Sequence, residues 1–189
     1  MKPIPYGKQE INEKDIKAVV DVLKSDFLTQ GPKVEEFESK FATYIGSKYA
    51  ITVSSGTAAL HLSALALGVK KGTKIITSPL SFVATSNCIE YCGGEVEFSD
   101  INKDTLCLDI NLVREKLENS PKGTYSGIIP VDFAGYPVNM EEFRDLAKEY
   151  NLWILEDSCH APGGYFIDSK KQIQKCGNGN YADLAIFSF

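Results

Sequence analysis

From residue 50 onward, short apolar runs alternate with segments of helical spacing, and this alternation limits the fold more than any other feature. Ala50–Val53, Lys74–Thr77, Glu95–Phe98, Ser126–Asp132, Leu152–Glu156 and Asp183–Phe189 read as strands. Between them, Thr57–Leu67, Phe82–Tyr91, Asn111–Leu117 and Met140–Tyr150 read as helices, with Gly68 and Gly93-Gly94 as stops. A run such as Trp153-Ile154-Leu155 has no polar alternate, so both faces of its strand must be covered. The expected fold class is therefore α/β, a mainly parallel sheet between helical layers. Residues 1–49 are expected to form an N-terminal helical segment. There Ile11, Ile16, Val19, Val20 and Leu23 fall at helical spacing. After a turn at Thr29-Gln30-Gly31-Pro32, a second helix is expected to turn Val34, Phe37 and Phe41 inward.

Ligands of such sheets bind beyond the carboxyl ends of the strands, so the polar residues there are the candidates. In VSSGTAALHLSALALG a strand runs into Ser54-Ser55-Gly56-Thr57 and a helix begins at once. Free amides at a helix start suit a phosphate, with Gly56 permitting close approach and Ser55 and Thr57 offering hydroxyls; a plain helix cap is the alternative. LWILEDSCHA ends a buried strand in Glu156-Asp157, with His160 three residues on. A carboxylate there would pair with a buried cation or cap the next turn, and His160 fits a core histidine equally well. SPLSFVATSN puts Phe82 at a helix start, as core or as a flat plate for a ring. Ser188, in ADLAIFSF, says nothing alone.

Other classes are excluded on composition. A net charge of −5 leaves no broad basic surface for nucleic acid. No apolar stretch approaches the roughly 20 residues of a membrane helix, and MKPIPYGKQEINEKD has no apolar signal core, so a cytoplasmic protein without membrane partners is expected. Five cysteines without a CxxC pair, and two histidines, make reduced thiols the expectation and a metal site not. GNGNYAD precedes a strand instead of following one, so it is no dinucleotide fingerprint, and Walker and GxSxG motifs are missing.

Each motif is weak alone, but their order is specific. DIKAVVDVLKSDFLTQGPKVEEFE, SSGTAAL, SFVATSN, VDFAG, EDSCHA and ADLAIFSF together resemble the DegT/DnrJ/EryC1/StrS aminotransferases of fold-type I, over nearly the whole chain. The resemblance implies a pyridoxal 5'-phosphate (PLP) enzyme moving an amino group from glutamate to a nucleotide-linked 4-keto-6-deoxy sugar, with UDP as the expected nucleotide. Residues 50–189 would be part of its PLP-binding large domain, followed in the family by a small C-terminal domain. Gly56, Thr57 and Ala58 would cradle the cofactor phosphate, assisted by Ser55 and the Ser188 hydroxyl. Phe82 would stack on the ring, Asp157 would hold the ring nitrogen protonated, and His160 would sit near the ring's phenolic oxygen. Tyr6 and Asp26-Phe27-Leu28-Thr29 would serve the sugar-nucleotide side of an active site shared within a homodimer. A PLP-dependent dehydratase and a non-catalytic sugar-nucleotide-binding relative remain alternatives.

In relatives FSF continues as His-x-x-Lys, and that lysine holds PLP as a Schiff base; no catalytic residue is therefore expected within residues 1–189. In the full-length protein, borohydride should trap PLP on a lysine about four residues beyond Phe189. A histidine there would select the dehydratase. Residues 1–189 alone should not transaminate, and turnover by them would place the catalytic residue elsewhere.

Overall fold

A computed structural model describes residues 8–189. Five strands form one parallel sheet in the order β2-β1-β3-β4-β7, where β1 is Lys74–Thr77, β2 Glu95–Phe98, β3 Gly127–Ile129, β4 Trp153–Asp157 and β7 Leu184–Ile186. Tyr165–Ile167 (β5) and Ile173–Lys175 (β6) form a separate antiparallel hairpin.

Both faces of the sheet are covered, which is why its strands carry consecutive apolar residues. Ile75, Ile129, Leu155 and Ile186 pack on one side with residues of helices α3 (Gly56–Ala66) and α4 (Ala84–Tyr91). Their neighbours Ile76, Ile128 and Ile154 pack on the other with α5 (Ile110–Glu118) and α6 (Met140–Tyr150). Alternation along β1, β3 and β4 thus feeds two cores at once.

Helix α6 has the bounds its spacing predicts. Met140, Phe143, Leu146 and Ala147 bury one stripe, Glu141 and Glu142 complement the dipole in the first turn, and Asn151 ends it in a left-handed conformation at φ 55°. Arg144 on this helix donates to the Tyr181 carbonyl (2.6 Å) and pairs with Asp183 (2.9 Å). Asp183 also accepts the Ile154 amide (2.7 Å), so the start of β7 is tied to α6 and β4 together.

Helix α2 (Pro32–Ile45) reaches the other end of β7 through aromatic rings. Phe41 meets Phe187 and Phe189 edge-on, with centroids 5.0 and 5.4 Å away. Val34 and Phe37 remain about two-fifths exposed, so the inward face expected of α2 is only partly covered. Helix α1 (Glu13–Leu23) begins after Ile11 and buries none of its residues. Among the described residues, no helix is long and apolar enough to cross a membrane.

Several expectations are corrected. Ala50–Val53 belongs to no strand, and Ile51 is 83% exposed. A strand needs a hydrogen-bonding neighbour, and here the Thr52 amide and hydroxyl go instead to the Glu38 carboxylate on α2, at 2.6 and 2.8 Å. The strands expected over Ser126–Asp132 and Asp183–Phe189 shorten to three residues each. β4 begins one residue later than expected, and α4 starts at Ala84 rather than Phe82. The β5–β6 hairpin was not foreseen.

Gly127 pairs with Trp153 across β3 and β4, and a Cβ at Gly127 would lie 2.3 Å from the indole. Gly127→Ala should destabilise the full-length protein by roughly 1–3 kcal/mol in urea melts, from overpacking. Adding Trp153→Leu should recover part of that loss. An unchanged melt in the single variant would show that the indole is free to move away.

Candidate active site

Three segments meet at the carboxyl end of the sheet. The first is the start of α3. Ser55 caps it, accepting the Ala58 amide at 3.1 Å, while the Gly56 and Thr57 amides donate to no described residue. Two free amides at the positive end of a helix dipole form an anion cradle. Of the predicted phosphate ligands, then, the Ala58 amide is committed to the cap. Ser55 and Thr57 are exposed.

The second segment is the end of β7. Just beyond β7, Phe187 and Phe189 face α2, while Ser188 between them stands beside Gly56. A Cβ at Gly56 would stand 3.0 Å from the Ser188 hydroxyl and 3.4 Å from Cys159 Sγ. The glycine thus keeps open the space between the free amides and the serine.

The third is the end of β4. Asp157 is 3% exposed, and its Oδ2 accepts the Thr85 hydroxyl at 2.7 Å. Its Oδ1 accepts the Cys159 amide at 3.3 Å, a long turn-capping contact. No Lys, Arg or His among the described residues forms an ion pair with Asp157. A buried carboxylate without a cation is costly, which makes Asp157 a candidate partner for a positive group. Burial and the neighbouring Asp157 push the Cys159 thiol up, so Cys159 is no nucleophile here.

The structure also places the other candidates. Phe82 is 68% exposed, which overturns its reading as core; its carbonyl accepts the Thr85 amide at 3.0 Å, so it stands one turn before the residue that holds Asp157. His160 is exposed rather than a core histidine. Its Nδ1 accepts the Ala134 amide at 3.3 Å, and a Cβ on Gly135 would meet its carbonyl at 2.9 Å. Ala134 and Gly135 both have positive φ, 53° and 83°, so His160 packs against a tight turn following β3. Asp26, Phe27, Leu28 and Thr29 occupy the exposed connection between α1 and α2, with no hydrogen bond to the strand ends. Tyr6 lies outside the described residues. Thr85 escaped sequence reasoning, although a hydroxyl three residues after Phe82, in the first turn of α4, was a usable signal.

Behind Asp157, Asp132, Glu156 and Cys176 are buried with their polar atoms within 4.8 Å of one another. A cavity of about 700 Å³ lies elsewhere, bordered by Asp109, Tyr136, Glu142 and Phe166. The strand-end crevice is the better candidate despite that volume, because it brings free helix amides and a buried carboxylate without a cation together among the described residues.

Sheet and crevice together define the class: an α/β protein that can take an anionic group at α3 and a cationic one at Asp157. The chain belongs to the DegT/DnrJ/EryC1/StrS aminotransferase family, whose sequence model matches residues 9–189. It is 40% identical over 98% of its length to a UDP-4-amino-4,6-dideoxy-N-acetyl-β-L-altrosamine transaminase of Campylobacter jejuni, covering 47% of that protein. Among solved structures it resembles the aminotransferase PseC of Helicobacter pylori, involved in biosynthesis of pseudoaminic acid, with a TM-score of 0.84 and 32% identity. That likeness covers 100% of this chain and 48% of the other. NtdA of Bacillus subtilis, solved with bound cofactor PMP, matches at 30% identity and a TM-score of 0.77, over 93% of this chain and 38% of its own. The fold is that of the fold-type I PLP-dependent transferases. The chain spans about half the length of the curated relatives it matches.

Gly56→Val should fill the space between α3 and Ser188. Affinity of the full-length protein for phosphate-bearing ligands should then fall about tenfold or more, the worth of one or two charge-assisted hydrogen bonds. Fluorescence titration beside a thermal melt reads this out; undiminished affinity in a folded variant would move the anion site away from α3.

Proposed function

We propose that the protein is a PLP-dependent nucleotide-sugar aminotransferase, passing an amino group from glutamate to a UDP-linked 4-keto-6-deoxy sugar. The observation that carries this is the buried Asp157, which lacks a cation yet is fixed by Thr85 beside an open anion cradle. PLP has the matching polarity, with a phosphate at one end and a ring nitrogen that takes a proton at the other. When bound, it supplies an electron sink for the carbanion at the amino-bearing carbon.

The chain's own residues then divide the work. The Gly56 and Thr57 amides, with the Ser188 hydroxyl, bind the phosphate, and Ser55 and Ala58 keep the helix start in shape. Asp157 holds a proton on the ring nitrogen, and Thr85 fixes which carboxylate oxygen faces it. Phe82, exposed at the mouth, covers one ring face and excludes water from it. His160 is held by the 133–135 turn and serves the ring's phenolic oxygen. Asp26, Phe27, Leu28 and Thr29, together with Tyr6, serve the sugar nucleotide, in a cytoplasmic homodimer whose sites are shared between subunits. The identity to the C. jejuni transaminase and the likeness to PseC support an amino-sugar substrate of the pseudaminic acid type.

Asp157→Ala in the full-length protein should lower the transamination rate on the order of 10²-fold or more, through loss of a preorganised charge. PLP retention should change far less, because the phosphate cradle is untouched. Single-turnover kinetics with glutamate, beside cofactor retention on dialysis, separates the two. Full activity in the variant would reduce Asp157 to a turn cap.

A further inference from the structure

Strand alternation puts Glu156 and Ser158 on the opposite face from Asp157, and both reach Asp132 or its neighbours. Ser158 Oγ donates to Asp132 Oδ2 at 2.8 Å, and the Val138 amide donates to Oδ1 at 2.8 Å. The Gly177 amide donates to Glu156 Oε1 at 3.0 Å. The main chain closes the frame: the Asp132 amide donates to the Asp157 carbonyl, and the Asp157 amide to the Pro130 carbonyl, both at 3.0 Å. The Ser158 amide donates to the Ile186 carbonyl at 2.9 Å. Both neighbours of Asp157 are thus clamped by one buried cluster.

That cluster holds two carboxyl groups, 1% and 4% exposed, within 4.8 Å. The groups facing them are Cys176 after β6, whose Sγ lies within 4.8 Å of both, Cys107 ahead of α5, and Ser158. Asp157 lies on the far side of the strand. No described Lys, Arg or His bonds either carboxyl. Two ionised carboxylates cannot face each other in such a space without a counter-charge, whereas a single proton between them turns repulsion into a hydrogen bond.

We propose that Asp132 and Glu156 share one proton, and that this O–H···O link is a positioning device for Asp157. The second half rests on the assignment of Asp157 under Proposed function. The proton sits on Glu156, since Asp132 already accepts two donors and Glu156 only one. Burial, then the charge of Asp132, pushes Glu156 up from 4.5 to about 8. The sign follows: a carboxyl raised in the folded state gives its full stabilisation below 4.5 and loses it as pH climbs through about 8. Above that, the pair repels and the frame around Asp157 loosens.

The test uses the full-length protein, wild type beside Glu156→Gln and Glu156→Ala, between about pH 6 and about pH 10. Thermal midpoints without ligand should fall at alkaline pH in wild type and stay nearly flat in Glu156→Gln, whose amide mimics the protonated acid. Glu156→Ala should depress the transamination rate about tenfold or more at neutral pH, and Glu156→Gln should recover most of it and shift the alkaline limb upward. Infrared spectra of wild type should carry a protonated-carboxyl band that ¹³C-glutamate labelling moves and alkaline pH removes, a readout needing no variant. Absence of that band, or an alkaline loss in Glu156→Gln equal to wild type, overturns the shared proton. A flat midpoint with an unmoved rate profile overturns the positioning role. Neither result touches the Asp157→Ala comparison, so failure here is distinct from failure of the proposed function.

Discussion

The fold depends on burying the parallel sheet from both sides. Because α3 and α4 cover one face and α5 and α6 the other, none of β1, β3 and β4 can shift register by one residue without exchanging its two cores. The register of β3, β4 and β7 is thereby locked, and with it the height at which each strand ends. Asp157 and Ser188 come from strand ends set by that register, and α3 supplies the third element beside them. The crevice is a by-product of close packing more than of its own few polar contacts.

Much of this was legible in the sequence, for reasons that differ by element. Helix α6 carries its own evidence, an apolar stripe, acidic first turn and left-handed end, so local reading finds its bounds. β4 was legible because three consecutive large apolar residues have only one economical environment. Ala50–Val53 is also a short, mostly apolar run and fails, since strandedness belongs to a pair and the polar groups of Thr52 turn to Glu38. The β5–β6 hairpin, with Tyr165, Ile167 and Ile173 all more than half exposed, lacks the alternation that would have announced it.

The site divides in the same way. Gly56 and Thr57 were readable because a strand, a glycine and a helix start in immediate succession leave free amides by geometry. Asp157 was readable as a carboxylate ending a buried strand, though its partner Thr85 lies 72 residues earlier and no spacing rule joins them. Phe82 read alone as core or as a plate for a ring, and its 68% exposure at the rim removes the first of these. Ser188 gained meaning from its flanking rings, which dock on α2 and so decide which way the hydroxyl points.

The close contact between Gly127 and Trp153 also gives the chain an optical property. Its one tryptophan sits across the central strand pair, with the indole spread over a backbone that has no side chain of its own. Emission from that indole therefore reports on a single junction, the β3–β4 seam from which the strand ends project. Ligand closure at the crevice, or opening of the sheet before global unfolding, would register as a change in its colour and quenching, without any added label.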